Sequence, residues 1–207
     1  MTDELLDGLG EFRAGYFAEH RKEYRDLVFN GQHPSTLFVG CSDSRVSPQL
    51  LTGAGPGELF VVRNVGNLIP PPDKAGGPNG ISAALEYAVD ILEVEEIIVC
   101  GHSHCGAVRA LYDPPDGASP NLREWLELAG PARLPGPPDD AMLRETERRS
   151  VKLQLQRLLE FPNVRRRVDA GRLDLHGWHY VIEDGEVHLL NVSTGAFVPH
   201  RPRITRP

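Results

Sequence analysis

The chain has 207 residues, 40% of them hydrophobic and 25% charged, a composition that fits one ordinary globular domain and excludes a disordered or fibrous segment. Twenty-nine acidic against 22 basic side chains leave a formal charge of −7, which argues against nucleic acid or an anionic membrane surface as the main partner. No apolar run approaches a membrane span, and the start Met1, Thr2, Asp3, Glu4 is acidic where a secretory signal is basic, so the expected compartment is the cytoplasm.

Over residues 3–30, Leu5, Leu9, Phe12, Phe17, Tyr24 and Val28 recur at loosely helical spacing, which predicts one or two helices. Leu37, Phe38 and Val39 then form a short apolar run, as in a strand covered on both faces, and residues 59–62 and 97–100 repeat that pattern. Between the second and third runs, Ile81, Leu85, Ala88 and Leu92 share a helical face. Strand, helix, strand at this length predicts a parallel crossover. A short helix from Gly106 to about Tyr112 is expected next, then a Pro/Gly-rich loop at 113–120 and a helix over 121–129. Asp139 or Asp140 can cap a long helix reaching Glu160, and Pro162 opens another that ends at Gly171. Arg165, Arg166 and Arg167 within it read as a solvated face. Finally, two apolar runs flank Asp184-Gly185, a hairpin signal.

The chemistry concentrates in Cys41-Ser42-Asp43-Ser44-Arg45 and Gly101-His102-Ser103-His104-Cys105-Gly106, each directly after a predicted buried strand. In an open parallel sheet, loops at the carboxyl ends of neighbouring strands converge on one crevice. Three cysteines cannot all pair, which points to thiol or metal chemistry before a disulfide framework. Cys41, His102 and Cys105 together make a Cys2His donor set suited to zinc, with a fourth tetrahedral position open for catalysis. Cys100 reads as a small buried apolar residue, and His104 is the rival ligand to His102. Asp43 and Arg45 are close enough for a charge-assisted pair beside the metal, while Asp43 is also able to take the fourth position itself.

These segments, with Arg63-Asn64-Val65-Gly66-Asn67, Leu85-Glu86-Tyr87-Ala88-Val89 and Leu175-His176-Gly177-Trp178-His179-Tyr180, resemble the β-class carbonic anhydrases. The resemblance runs over residues 12–198. It implies an α/β fold: a central, mostly parallel sheet of four parallel strands plus an antiparallel edge strand, flanked by helices, with an N-terminal helical arm. One domain is expected over 1–207, divided into an arm (1–33) and a zinc-binding core (34–200). It also implies a zinc enzyme, one Zn2+ per chain, that interconverts carbon dioxide and bicarbonate by attack of zinc-bound hydroxide. Carried over residue by residue, Cys41, His102 and Cys105 match the metal ligands and Asp43 and Arg45 the catalytic pair. Gln32, Phe60, Val65, Tyr87 and the backbone N–H of Gly106 match substrate-pocket groups of the plant-type branch, contributed in part across a dimer interface. Phe38 stands where another branch carries a tryptophan of a non-catalytic bicarbonate site, so the plant-type arrangement is expected, with Asp43 paired to Arg45. The resemblance implies a homodimer or a multiple of dimers, and the apolar stripe of the arm independently needs cover. Two other readings stand beside hydration: hydrolysis of carbonyl sulfide or carbon disulfide on the same site, and a non-catalytic zinc-binding scaffold.

Overall fold

The computed structural model describes residues 2–72 and 79–201. The N-terminal stretch forms three helices, α1 (Thr2–Ala14), α2 (Tyr16–Glu19) and α3 (Arg21–Asn30), none of whose described side chains is buried. The expectation of one or two helices missed the breaks at Gly15 and His20, which flank the single turn of α2.

The run around Phe38 becomes β1 (Thr36–Cys41), every residue of which is buried. It pairs in parallel with β2 (Leu59–Asn64) on one side and β3 (Glu96–His102) on the other, and β3 pairs in parallel with β4 (Asp174–Val181). β5 (Glu186–Asn191) returns antiparallel through the Asp184-Gly185 turn, where Gly185 adopts φ +67°. The four parallel strands and their antiparallel neighbour are as expected. A sixth strand, β6 (Ala196–Pro199), pairs antiparallel with β5 and completes the order β2-β1-β3-β4-β5-β6. Four residues ending in proline carry too little alternation to be read as a strand, and proline is tolerated there because the strand is an edge.

Alternation along β1 and β3 sends Leu37, Val39, Ile97 and Val99 to one face and Phe38, Ile98 and Cys100 to the other. The second face packs Leu51 of α4 (Pro48–Thr52) beside Trp178 and Tyr180. The first packs Leu85 of α5 (Gly80–Glu86), Val151 and Leu158 of the long helix that follows residue 139, and Val164 of the helix opened by Pro162. The expected helix over 81–92 is not uniform: after α5 it widens into a π-helical turn (Tyr87–Ile91), closed by Leu92 N–H on Tyr87 C=O at 2.9 Å. The added residue rotates the face, so Val89 is buried beside Ala88, Leu92 packs partly buried on the same core, and Tyr87 and Ile91 turn outward.

α6 (Gly106–Arg109) is a single turn, and α7 (Pro120–Glu127) is capped by Ser119. Asp139, not Asp140, caps α8 (Asp140–Leu158) by accepting Met142 N–H at 2.7 Å. In α9 (Pro162–Asp169), Arg165 and Arg166 are exposed as expected, but Arg167 is not part of a solvated face. Its guanidinium donates to the carbonyls of Val89, Glu93, Val94 and Arg172.

The chain leaves β1 toward β2 and leaves β3 toward β4. Between β1 and β3 the connections therefore depart in opposite directions, and the carboxyl ends of these strands border a crevice. Cys41 is the last residue of β1 and His102 the last of β3.

Candidate metal centre

Across that crevice one ligand-type atom each from Cys41, His102 and Cys105 lie within 4.8 Å of one another, and all three residues are buried. Cys41 Sγ accepts the N–H groups of Asp43 and Gly66, each at 3.4 Å. Gly66 can approach because it adopts φ +80° and carries no side chain; a Cβ there would sit 2.9 Å from that of Ala107. His102 Nδ1 donates to Ser103 C=O at 2.9 Å, which fixes the tautomer. Nε2 is thereby left with a lone pair, buried and without a hydrogen-bond partner among the described residues.

Among the protein groups alone, the two thiols shift in opposite directions. The hydrogen bond from Cys105 draws Cys41 down to about 4, and the same bond, reinforced by burial, pushes Cys105 well above the ordinary thiol range. Burial of His102 opposes its protonation but is outweighed by the nearby Cys41 sulfur, so its pKa rises. Two thiols and an imidazole gathered in a buried corner fit a soft divalent ion, which stabilises both thiolates at once. Cys100 lies outside the cluster, fully buried, its thiol pushed up to about 12 by desolvation. His104 is not a ligand: it adopts φ +56° and its half-exposed ring turns toward Glu183, with Nε2 3.5 Å from Oε1.

Beside the cluster, Arg45 grips Asp43 with both ends of its guanidinium fork, Nε on Oδ1 at 2.9 Å and Nη2 on Oδ2 at 2.8 Å. Arg45 N–H adds a third bond to Oδ1 at 3.0 Å. These bonds hold the Asp43 carboxyl far below the usual carboxylate range. Asp43 Oδ2 stands 3.9 Å from His102 Nε2, so the carboxylate faces the donor set while committed to arginine. Arg45 Nη2 also donates to His104 C=O at 3.1 Å and ties the first loop to the second.

Val65 and Gly106 lie at this same end of the sheet. Val65 directly follows β2 and is 42% exposed, and Gly106 opens α6, so its N–H has no acceptor within the helix. Gln32, Phe60 and Tyr87 do not join them. Gln32 precedes β1, whose length at roughly 3.3 Å per residue separates it from Cys41 by about 17 Å. Phe60 sits opposite Leu37 near the start of β2, and its ring packs on Tyr87 at 5.8 Å between centroids.

Sequence reasoning missed several groups that shape the centre. Arg63 donates to the carbonyls of Cys41 at 2.9 Å and Asp43 at 2.7 Å and so fixes the loop between them. Its place in the Arg63-Asn64-Val65-Gly66-Asn67 segment was the available signal. Glu147 of α8 accepts the N–H of Cys105 at 3.1 Å, a contact 42 residues apart in sequence that no local pattern reveals.

A Cys2His donor set and a clamped carboxylate at the carboxyl edge of a parallel sheet have the layout of an α/β metalloenzyme. The sequence model of a family described as carbonic anhydrase matches residues 36–187. A carbonic anhydrase of Synechocystis is 41% identical, covering 97% of this chain and 75% of its own length. One from Pseudomonas aeruginosa is 39% identical, covering 94% and 90%. Among solved structures, the β-carbonic anhydrase CcaA matches with a TM-score of 0.88 at 39% identity, over 96% of this chain and 99% of that one. A Coccomyxa β-carbonic anhydrase in complex with acetazolamide matches with a TM-score of 0.79 at 30% identity, over 94% and 91%. The chain belongs to the β-class carbonic anhydrases, enzymes that interconvert carbon dioxide and bicarbonate.

Proposed function

We propose that Cys41, His102 and Cys105 hold one zinc ion per chain, and that Asp43 and Arg45 serve hydration of carbon dioxide to bicarbonate and a proton there. The observation that carries this reading is His102 Nε2, buried, without a hydrogen-bond partner among the described residues, and clustered with two sulfurs beside an ionised carboxylate. The chemistry a bound zinc supplies is Lewis acidity, which brings the ionisation of water toward neutral pH. Two thiolates cancel the charge of a divalent ion, so further activation falls to the chain's own groups. Asp43 stays ionised throughout the neutral range and accepts the O–H of the attacking water, turning a lone pair toward the carbon of the substrate. Arg45 keeps that carboxylate in place and discourages it from reaching the metal. Gly106 N–H meets a substrate oxygen, and Val65 forms part of an apolar wall suited to an uncharged molecule.

Gln32, Phe60 and Tyr87, at the far end of β1 and β2, complete the site of a second copy of the chain, with Gln32 as an orienting donor. The enzyme therefore works as a dimer or a multiple of dimers, each chain one domain with an arm (1–33) and a core (34–200), in the cytoplasm. No helix among the described residues is long and apolar enough to cross a membrane. Phe38 in place of tryptophan, and Asp43 bonded to Arg45, support the plant-type branch, whose site is open at neutral pH.

Stopped-flow hydration on protein of measured zinc content, scanned from about pH 7 to about pH 9, tests the reading. Activity already present at the lower end supports it. Activity confined to the alkaline end means that Asp43 closes the metal and the branch assignment falls. No activity with one zinc per chain turns the assignment toward carbonyl sulfide or carbon disulfide hydrolysis, or a scaffold.

A further inference from the structure

We infer that Glu147 is a positioning residue for the metal centre: through the backbone of Cys105 it holds the loop that supplies two of the three ligands. The inference rests on the reading of Cys41, His102 and Cys105 as the zinc site.

The loop from His102 to Cys105 needs holding. His104 sits at φ +56°, a left-handed conformation that costs a non-glycine residue about 1 kcal/mol or more. Neither His104 nor the exposed Gly106 that follows anchors the loop in the core. The restraint comes from α8. This helix packs so tightly on β3 that a Cβ on Gly101 would lie 2.6 Å from Val151 Cγ2, and one turn before Val151 stands Glu147. At that separation a carboxylate reaches the loop, and Glu147 Oε1 accepts the Cys105 N–H at 3.1 Å.

Glu147 is itself fixed. Only 3% exposed, it receives His179 Nε2 on Oε2 at 3.0 Å and stands 3.4 Å from Arg144 Nε. Burial disfavours the charged form of His179, whose Nε2 faces Glu147 while its Nδ1 is buried without a partner among the described residues. A buried carboxylate and an orphaned buried nitrogen are costly features that an apolar pair would avoid. Arg144 continues to Glu183, whose Oε2 accepts the Ser103 hydroxyl at 2.6 Å, while Ser103 Oγ accepts Ile182 N–H at 2.8 Å. The loop is thus gripped at Ser103 and at Cys105 by two carboxylates joined through one arginine. Glu147 touches no group assigned to substrate or to the reacting water; its influence passes through where Cys105 Sγ is placed.

The test separates reach from charge. Glu147→Gln keeps an oxygen acceptor at full reach and loses the charge; Glu147→Asp keeps the charge and retracts it by one methylene. Zinc affinity is measured by chelator competition, and the visible spectrum of the cobalt(II)-loaded protein reports ligand geometry. Glu147→Ala and Glu147→Asp are expected to weaken zinc roughly 10- to 100-fold and to alter the cobalt bands, with Glu147→Gln close to wild type. Val151→Ala, which loosens the same helix without touching the hydrogen bond, is expected to lower Tm and leave zinc affinity unchanged. The inference is overturned if Glu147→Asp binds zinc as tightly as wild type, if Glu147→Gln is the weaker of the two, or if Val151→Ala weakens zinc as much. Cys41→Ser, measured in parallel, isolates the underlying reading. If Cys41→Ser binds zinc like wild type, the site assignment itself fails, and the role of Glu147 with it.

Discussion

Asp43 has its negative charge fixed by Arg45, whose guanidinium takes both carboxylate oxygens. A carboxylate with a depressed pKa contributes stability above its ordinary pKa and loses it only as pH falls toward the lowered value. For Asp43 that window lies in strong acid, so an inflection in the neutral range of the pH-rate profile belongs to another group. Asp43→Asn keeps the shape but presents an N–H or a weaker acceptor to the attacking water. We expect a loss of about 100-fold or more in the hydration rate at unchanged zinc content, measured by stopped flow and metal analysis. Full activity would remove Asp43 from the mechanism. Glu183 offers a second residue-level check, because the Ser103 hydroxyl, the largest cause, holds its pKa at about 2 against an ordinary 4.5. What Glu183 contributes is present above pH 4.5 and lost as pH falls toward 2. In Ser103→Ala, carboxyl NMR titration should find Glu183 returned toward its ordinary value.

The cluster of Cys41, His102 and Cys105 was legible in the sequence because strand ends are: Cys41 and His102 follow apolar runs, and parallel topology brings such ends together. The acid behind them was not, because Glu147 belongs to a helix whose polar and buried faces show no sharp division in sequence; Thr146, Glu147, Ser150 and Gln154 are all buried. The π-helical turn was equally hidden, since Ile81, Leu85, Ala88 and Leu92 satisfy a regular helix and the burial of Val89 follows only from its packing in the folded chain. At this level the decisive spacing is between β3 and α8. Gly101→Ala puts a methyl 2.6 Å from Val151 Cγ2 and forces strand and helix apart, at an expected cost of about 1–3 kcal/mol in chemical denaturation. Adding Val151→Ala opens the space again, so the double variant should be more stable than the sum of the two single losses. Strict additivity would mean that these two atoms do not set the distance.

Taken as a whole, the chain exposes 12754 Å², where a compact monomer of its size exposes about 9,600 Å². The arm exposes apolar side chains: Leu5 is 72% and Leu9 63% exposed. Such a surface is suited to a partner, and under the proposed function the same partner would complete the pocket, because Gln32, Phe60 and Tyr87 lie the length of β1 away from the Cys41, His102 and Cys105 cluster of their own chain. A mixing experiment decides this directly. Cys41→Ser lacks a metal ligand but keeps Gln32; Gln32→Ala keeps the metal ligands but lacks the donor. Each alone should be impaired in hydration. If the pocket is shared, a mixed dimer pairs the intact metal centre of one chain with the intact Gln32 of the other and regains one complete site of two. Random exchange in an equal mixture makes half the dimers mixed, so the regained activity approaches about a quarter of wild type per chain, above the average of the separate variants. If each site is built within one chain, mixing restores nothing at any ratio, and the assignment of Gln32, Phe60 and Tyr87 to the partner's site fails.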